Sequence, residues 1–458
     1  MTNEQLTVGV AISGGGHRAA LFGLGALLYL IDAGKGAQLG SVSSVSGGSL
    51  TNAYFGTTVD LSTIEPEAMW AHANAFAYRI ARRGTLWAAP QTYAYLAVIA
   101  LLLVAAITVS CLGPWWAIVV AWVIAIGLGG WLSQQRSAVV ASAFDTTLLH
   151  GATLASMQGN VAHVMCATDL QMGRDVFFSN AFVYSWRSGW GSPGNLRAAQ
   201  AAQASAALPG AFTVVSLPLR RFGLPEQRVA ANRHPPRRFK LLDGGVYDNM
   251  GTEWLLNIGD RMVDGTPPAA LKTVDEAIVV NASAGDAVID RRWVTVPFVG
   301  EISSLLAVAD VMYGQTTAVR RRLLNVCYQI GQDRELAQAD ARVLENALRG
   351  TTIQIDRSPF ELPERFLDGA DEVTERARKA ISALDQDPTN DDARAYWAAE
   401  ADANHSVKTT LSRIDPERAQ SLIRHGYVLT MVNSHVLLDY PLYPIPAPDR
   451  FARLVAND

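Results

Sequence analysis

Three short stretches carry residue types that can act together on an acyl group. The first is Ser13-Gly14-Gly15-Gly16-His17-Arg18, which follows the apolar run 6–12. Consecutive glycines between a strand and a helix let successive amides turn toward one point near the helix's positive end, where an anion is stabilised. Such a nest suits a phosphate or the oxyanion of a tetrahedral intermediate. The spacing is not that of a P-loop, and Gly14, Gly16 and Ala19 meet only a loosened dinucleotide pattern. The second stretch is Ser44-Val45-Ser46-Gly47-Gly48. Small neighbours permit a sharp strand-to-helix turn that pushes the Ser46 hydroxyl out of the backbone, the geometry of a nucleophile. Ser44 stands where the usual G-x-S-x-G begins with glycine, and Ser-Gly-Gly-Ser alone is also ordinary turn chemistry. The third is Asp243-Gly244-Gly245-Val246-Tyr247-Asp248-Asn249, directly after the apolar run 239–242. A carboxylate there can take a proton from a serine hydroxyl, directly or through water. In isolation, Asp-Gly-Gly reads first as a turn in which the aspartate bonds its own backbone.

In their order, the three stretches resemble the patatin-like phospholipase family. The resemblance implies that Gly14, Gly15 and Gly16 form an oxyanion hole supported by Arg18, that Ser46 is the nucleophile, and that Asp243 completes a dyad without histidine. It also implies a three-layer α/β/α sandwich and no metal or organic cofactor. Ala167-Thr168-Asp169-Leu170 with Gly173 is similar to the family's central strand and turn, and Ala204-Ser205-Ala206-Ala207-Leu208-Pro209 to its segment ahead of the aspartate. The likeness covers about residues 6–284 and is interrupted once. It departs from the family at Ser13, where many relatives carry aspartate, and at Ser44 and Ala19, which replace glycines; Ser44 puts a side chain beside the turn.

A Ser-His-Asp triad is the rival mechanism, because His405, His425 and His435 follow Asp243 in the chain. His425-Gly426-Tyr427 reads as a helix end where histidine caps carbonyls, and His17 as a pocket or structural residue. Seven cations (Arg220, Arg221, Arg228, Arg233, Arg237, Arg238 and Lys240) crowd a proline-broken loop before Asp243. They suit anionic headgroups as well as plain solvation. Arg320-Arg321-Arg322, after an amphipathic stretch from 302, is equally open.

The elements that must position these residues alternate short apolar strands with helices, which indicates an α/β sheet between helices. Strands are expected at 6–12, 41–45, 161–167, 175–179, 239–242 and 277–281, with helices at 17–31, 50–55 and 198–207. Between Arg83 and Arg136 there is no charged residue and no histidine. Blocks 93–112 and 115–132 each match the roughly 17–25 residues of a bilayer-crossing helix, and Gly113-Pro114 lies between them. Tyr93, Tyr95 and Trp131 at one end and Trp115 and Trp116 at the turn form interfacial belts, with Trp122 as the mid-span exception. The alternative, a helical pair buried in a soluble core, would need burial on every face. Arg79, Arg82, Arg83 and Arg136 flank the hairpin and place both ends in the cytoplasm by the positive-inside rule.

These readings give a catalytic domain over 1–332, interrupted by a transmembrane hairpin at 92–133, and a mostly helical extension over 333–458 with helices at 335–348, 361–384, 393–411 and 416–432. The net charge of −4 and pI near 6.1 offer no general argument for nucleic-acid binding. Three scattered cysteines, Cys111, Cys166 and Cys327, make neither a disulfide framework nor a zinc site and suit a reducing compartment. No signal peptide is evident, and Thr2 stands where a myristoylation signal needs glycine. The expectation is a serine acyl hydrolase anchored in the inner (cytoplasmic) membrane through 93–132, its body on the cytoplasmic side and its substrate a membrane phospholipid. The alternatives are an acyl hydrolase or transferase acting on other esters, and a non-catalytic membrane scaffold.

Overall fold

The computed structural model describes residues 6–226, 236–263, 271–283, 299–332, 348–387 and 392–456. Its centre is one ten-stranded mixed sheet. Strands β1 (Val8–Ile12), β2 (Leu39–Ser44), β3 (Ala162–Asp169), β9 (Glu276–Asn281) and β10 (Arg349–Gln354) lie parallel in the order β10-β9-β1-β2-β3. Beyond β3 the sheet turns antiparallel through β4 (Arg174–Ser179), β5 (Val183–Ser185) and β6 (Gly189–Gly191). A hairpin of β7 (Val215–Pro218) and β8 (Arg238–Asp243) joins at β3 as well.

Alternation along the buried strands feeds two cores, one on each face. Val10, Ile12, Ile278 and Val280 point into one, with helices α1 (Gly16–Asp32), α2 (Gly47–Thr58), α3 (Pro66–Tyr78) and Pro416–Leu438. Ala11, Ala277 and Val279 point into the other, with Trp254, Leu324 and Tyr328. Leu324 and Tyr328 belong to the 34-residue helix Val299–Gln332. The sheet is therefore the middle layer of three. Helix α1 and helix Pro416–Leu438 cross closely because glycines meet there. A Cβ on Gly25 would lie 2.1 Å from the Ile423 carbonyl oxygen, and one on Gly426 would lie 2.1 Å from that of Phe22.

The division at residue 332 is overturned. Residues 349–354 add an edge strand to the sheet, and Pro416–Leu438 packs along α1, so the C-terminal part belongs to the same body. Thr351, Thr352 and Ile353 are the β-branched signal for that strand, hidden in a charged helical neighbourhood. Helix 361–384 is in fact two, Glu361–Glu364 and Glu372–Asp385. The second starts where Asp371 caps it by accepting from the Thr374 amide at 2.9 Å. Helix 393–411 stops at His405, helix 416–432 runs on to Leu438, and 335–348 lies almost entirely outside the described residues. The cationic loop before Asp243 is partly strand, since Arg238 and Lys240 belong to β8. Arg228 and Arg233 lie outside the described residues.

The uncharged segment folds as two helices, α4 (Pro90–Leu112) and α5 (Trp115–Gln134), both long and apolar enough to cross a membrane. They pair with each other: the Tyr95 hydroxyl donates to the Leu132 carbonyl at 3.1 Å, and the Trp122 indole to Ser110 Oγ at 2.9 Å. The second bond explains how Trp122 is accommodated in mid-helix. They are not core helices, for Leu101, Leu112, Trp115 and Ile126 are each at least two-thirds exposed.

Candidate active site

All three chemical stretches leave the carboxyl ends of their strands, the edge at which open α/β sheets bind ligands. The loop Ser13–Gly15 follows β1, Ser46 follows β2, and Asp243 ends β8. β3 aligns the last two. Ser44 pairs with Met165 on β3, and Asp243 pairs with Ala167, only two positions further on. β2 runs parallel to β3 and β8 antiparallel to it, so their C-terminal ends converge from opposite directions on Cys166. The Ser46 hydroxyl lies beside the Asp243 carboxylate there, near enough to favour its charged form.

The turn at Ser46 is strained. Its φ of 51° and ψ of −120° lie in a region that L residues rarely enter and that costs on the order of 1–3 kcal/mol. Helix α2 begins at Gly47, three residues earlier than the sequence suggests. A Cβ on Gly47 would lie 1.9 Å from the Gly16 carbonyl oxygen, so the elbow and the glycine loop fit only because position 47 is bare. Ser46 itself is half-buried and remains open to a substrate.

Around the turn is a set of buried hydroxyls whose hydrogen bonds the motifs did not announce. Ser205, at the end of α7 (Ala198–Ser205), accepts the Ser46 amide at its carbonyl and its hydroxyl, both at 3.1 Å. Its carbonyl also accepts the Gly244 amide at 3.2 Å, and its hydroxyl donates to the Cys166 carbonyl at 2.6 Å. One residue thus ties the Ser46 turn, the aspartate turn and β3 together. Ser44, the departure from the family pattern, is a second junction: it donates to the Val164 carbonyl at 3.0 Å and accepts from Asn52 at 2.8 Å and Ser49 at 3.1 Å. Its side chain points into this network and leaves the elbow open.

The glycine loop divides its amides. Gly14 donates to the Asn249 carbonyl at 2.9 Å and is committed there. The amides of Gly15 (φ 142°), Gly16 (φ 59°) and Gly47 have no hydrogen-bond partner among the described residues. Ser13, in the place of the family's aspartate, accepts the Ala282 amide at 2.8 Å and anchors the loop to the end of β9. Arg18 is buried and spans outward, donating to the carbonyls of Ala282 at 3.0 Å, His405 at 3.2 Å and Val407. Burial pulls its pKa down to about 10, and no carboxylate pairs with it among the described residues.

Burial dominates the electrostatics of Asp243. The carboxyl is pushed up to about 7 by loss of water, against the smaller opposing effects of a hydrogen bond from the Gly245 amide (2.8 Å) and of the nearby Ser46 hydroxyl. A carboxylate titrating near neutrality is poised to exchange a proton.

The histidines are engaged elsewhere. His425 lies inside helix Pro416–Leu438 and not at a helix end; its Nε2 faces the Arg357 carbonyl at 2.9 Å and its Nδ1 faces Asn404. Burial draws it down to about 4. His435 Nδ1 faces the Tyr440 carbonyl at 2.8 Å, and His405 ends its own helix with its carbonyl on Arg18. His17, although next to the glycines, turns away from the serine: Nδ1 donates to the Ser412 carbonyl at 2.7 Å and Nε2 meets Thr85 Oγ1 at 3.0 Å.

Comparison with curated proteins gives no match. Among solved structures, the human group IVD cytosolic phospholipase A2 is 13% identical over 62% of this chain and 47% of its own, with a TM-score of 0.37. This chain thus spans about half the length of the human enzyme. VipD of Legionella pneumophila is 10% identical over 99% of this chain and 90% of its own, with a TM-score of 0.25. Neither overlap is close enough to argue from. The sequence profile of the patatin-like phospholipases matches residues 10–256, which hold Ser46, Asp243 and the glycine loop and make up more than half of the 458 residues. The chain belongs to the patatin-like phospholipase family.

Proposed function

We propose that the protein is a membrane-anchored serine acyl hydrolase that cleaves ester bonds of membrane lipids through a Ser46–Asp243 dyad. The observation that carries this reading is the strained, half-buried Ser46 set beside Asp243, a buried carboxyl titrating near neutrality. Ser46 Oγ attacks the ester carbonyl carbon as its proton passes to Asp243. The tetrahedral oxyanion accepts hydrogen bonds from the Gly15 and Gly16 amides at the positive end of α1. Collapse expels the lysolipid oxygen, which takes the proton from Asp243, and water then releases the fatty acid by the reverse sequence. Arg18 holds the loop in place from behind. The engaged histidines favour the dyad over a triad.

The hairpin supplies the anchor. Two paired apolar helices with uncovered outer faces suit a bilayer, and the flanking arginines put the body on the cytoplasmic side of the inner membrane. Substrate then arrives by lateral diffusion. Lipid mass spectrometry on vesicles of the host's own lipids tests this reading: wild type releases free fatty acid and lysophospholipid, and Ser46→Ala releases neither. Turnover confined to short soluble esters would favour the alternative acyl hydrolase or transferase. Failure to react with any ester or fluorophosphonate would favour the scaffold.

A further inference from the structure

The apolar hairpin is rooted in the candidate site at both ends. On the entering side, Thr85 and Leu86 precede α4, and their amides donate to the Leu411 carbonyl at 3.2 and 3.3 Å. The Trp87 indole donates to Ser412 Oγ at 3.1 Å. The same segment reaches the glycine loop by two routes. The Thr410 carbonyl accepts the His17 amide at 2.9 Å, and the Ser412 carbonyl accepts His17 Nδ1–H at 2.7 Å. A carbonyl can only accept, so the neutral ring carries its proton on Nδ1. Nε2 is then an acceptor, and the Thr85 hydroxyl, whose other acceptor is the Leu411 carbonyl at 3.4 Å, donates to it across the shorter 3.0 Å. His17 is fully buried and lies one residue beyond Gly16, whose amide has no hydrogen-bond partner among the described residues.

On the leaving side, α5 ends at Gln134 and α6 (Arg136–Phe144) begins. The Gln134 carbonyl accepts the Thr213 hydroxyl at 3.2 Å, and the Ser137 hydroxyl donates to the Thr213 carbonyl at 2.5 Å. Arg136 donates to the Ala211 carbonyl at 3.3 Å. Residues 206–213 form a short strap braced by its own bonds, with Ala211 and Phe212 donating to Leu208. The strap begins at Ser205, which holds the Ser46 and Gly244 amides, and its Ala207 carbonyl accepts the Asp243 amide at 3.0 Å. Between the two roots, Arg79 bridges the flanking helices, donating to the Thr147 carbonyl at 3.2 Å and facing His150 at 2.9 Å.

We propose that the hairpin is a working part of the catalytic site as well as an anchor: its entering end sets the oxyanion loop through Thr85 and His17, and its leaving end sets Ser46 and Asp243 through Ser137 and the 206–213 strap. Thr85, His17 and Ser137 are positioning residues, acting through the groups they hold. The inference rests on Ser46 being the nucleophile of an acyl hydrolase. The attacking oxygen and the oxyanion donors sit on separate loops, so their relative placement is fixed by what joins those loops. A misplacement of about 1 Å is enough to lose on the order of a hundredfold in rate.

The test uses the full chain in phospholipid nanodiscs, with p-nitrophenyl butyrate as a soluble ester and a fluorophosphonate as a label for Ser46. Thr85→Val removes the donor to His17 without changing shape, Thr85→Ser keeps it, and Ser137→Ala releases the strap. Thr85→Val and Ser137→Ala are expected to lower kcat and the labelling rate about tenfold with KM within about twofold, while Thr85→Ser stays near wild type. Rates are expressed per folded molecule, so a variant that only loses stability keeps its kcat. Labelling rates of Thr85→Val and Ser137→Ala within about twofold of wild type, or a Thr85→Ser as slow as Thr85→Val, would overturn the inference alone. A wild type in which neither reagent reacts at Ser46 would overturn the hydrolase reading, and the inference with it.

Discussion

Replacing Asp243 by asparagine should stabilise the protein while removing its activity, and the gain should appear only above a definite pH. The side chain is 1% exposed, and burial raises it from the ordinary 3.8 to about 7. Between about pH 4 and 7 the folded state therefore holds a proton that the unfolded chain has lost. The unfolded state binds fewer protons in that window, so stability falls as pH rises through it and is lowest once the folded carboxyl is ionised. Three pH units at about 1.36 kcal/mol each make the cost roughly 4 kcal/mol above pH 7. Asparagine keeps an acceptor for the Gly245 amide and never ionises. With an unfolding entropy of about 2.1 cal/mol/K per residue over 458 residues, that cost amounts to roughly 4 °C in Tm. Parallel melts of wild type and Asp243→Asn in one detergent, from pH 4 to 8.5, should diverge from about zero at the acid end to several degrees at the alkaline end. Ester turnover by the variant should fall by about 10²–10⁴, the usual contribution of a general base. A melting difference that is flat with pH, or an asparagine variant less stable than wild type at pH 8, would rule out a destabilising ionised Asp243.

Other outcomes follow from the same geometry. Wild-type kcat/KM should rise through an apparent pKa near 7, because Asp243 must be ionised to take the Ser46 proton, and the rising limb should vanish in no variant that retains turnover and this carboxylate. Ser46→Gly should melt higher than Ser46→Ala, since both lose the hydroxyl but only glycine relieves the backbone at φ 51°, a difference of about 1 kcal/mol or more. Restoring the family's glycine with Ser44→Gly should destabilise by about 1–3 kcal/mol in chemical denaturation, because Asn52, Ser49 and the Val164 carbonyl lose a buried partner. A charge placed on the uncovered face of α4, as in Leu101→Lys, should move protein from the membrane pellet toward the soluble or aggregated fraction, a central lysine costing about 2.5–3.5 kcal/mol on insertion.

Where the sequence was most legible, local pattern and tertiary role coincided. The strands at β1, β2, β3, β4, β8 and β9 are apolar runs ending in small or turn residues, and each was readable within a few residues. The chemical stretches were legible because glycine, serine and aspartate at turns leave strong local marks. The hydrogen-bonding roles of Ser205, Asn249 and Thr85 left no such mark. Their roles depend on which segments the sheet brings together, and nothing near Ser205 announces that β2 and β8 will meet beside it. The order of motifs did flag residues 204–209, without indicating the hydrogen bonds. Strand β10 was missed because an edge strand with alternating polar residues carries little apolar signal, and that same miss produced the boundary at 332. Ser44 was legible as a departure, yet its hydroxyl's purpose emerges only once Asn52 and β3 surround it.

The proposed mechanism makes Ser46, activated by Asp243, the acylated nucleophile. Treating the full chain in its membrane with a fluorophosphonate, digesting it and locating the adduct by mass spectrometry tests this most directly. One adduct is expected, on the peptide carrying Ser46, formed more slowly below pH 7 and absent from Ser46→Ala. An adduct on another residue, or fatty-acid release undiminished in Ser46→Ala, would contradict it.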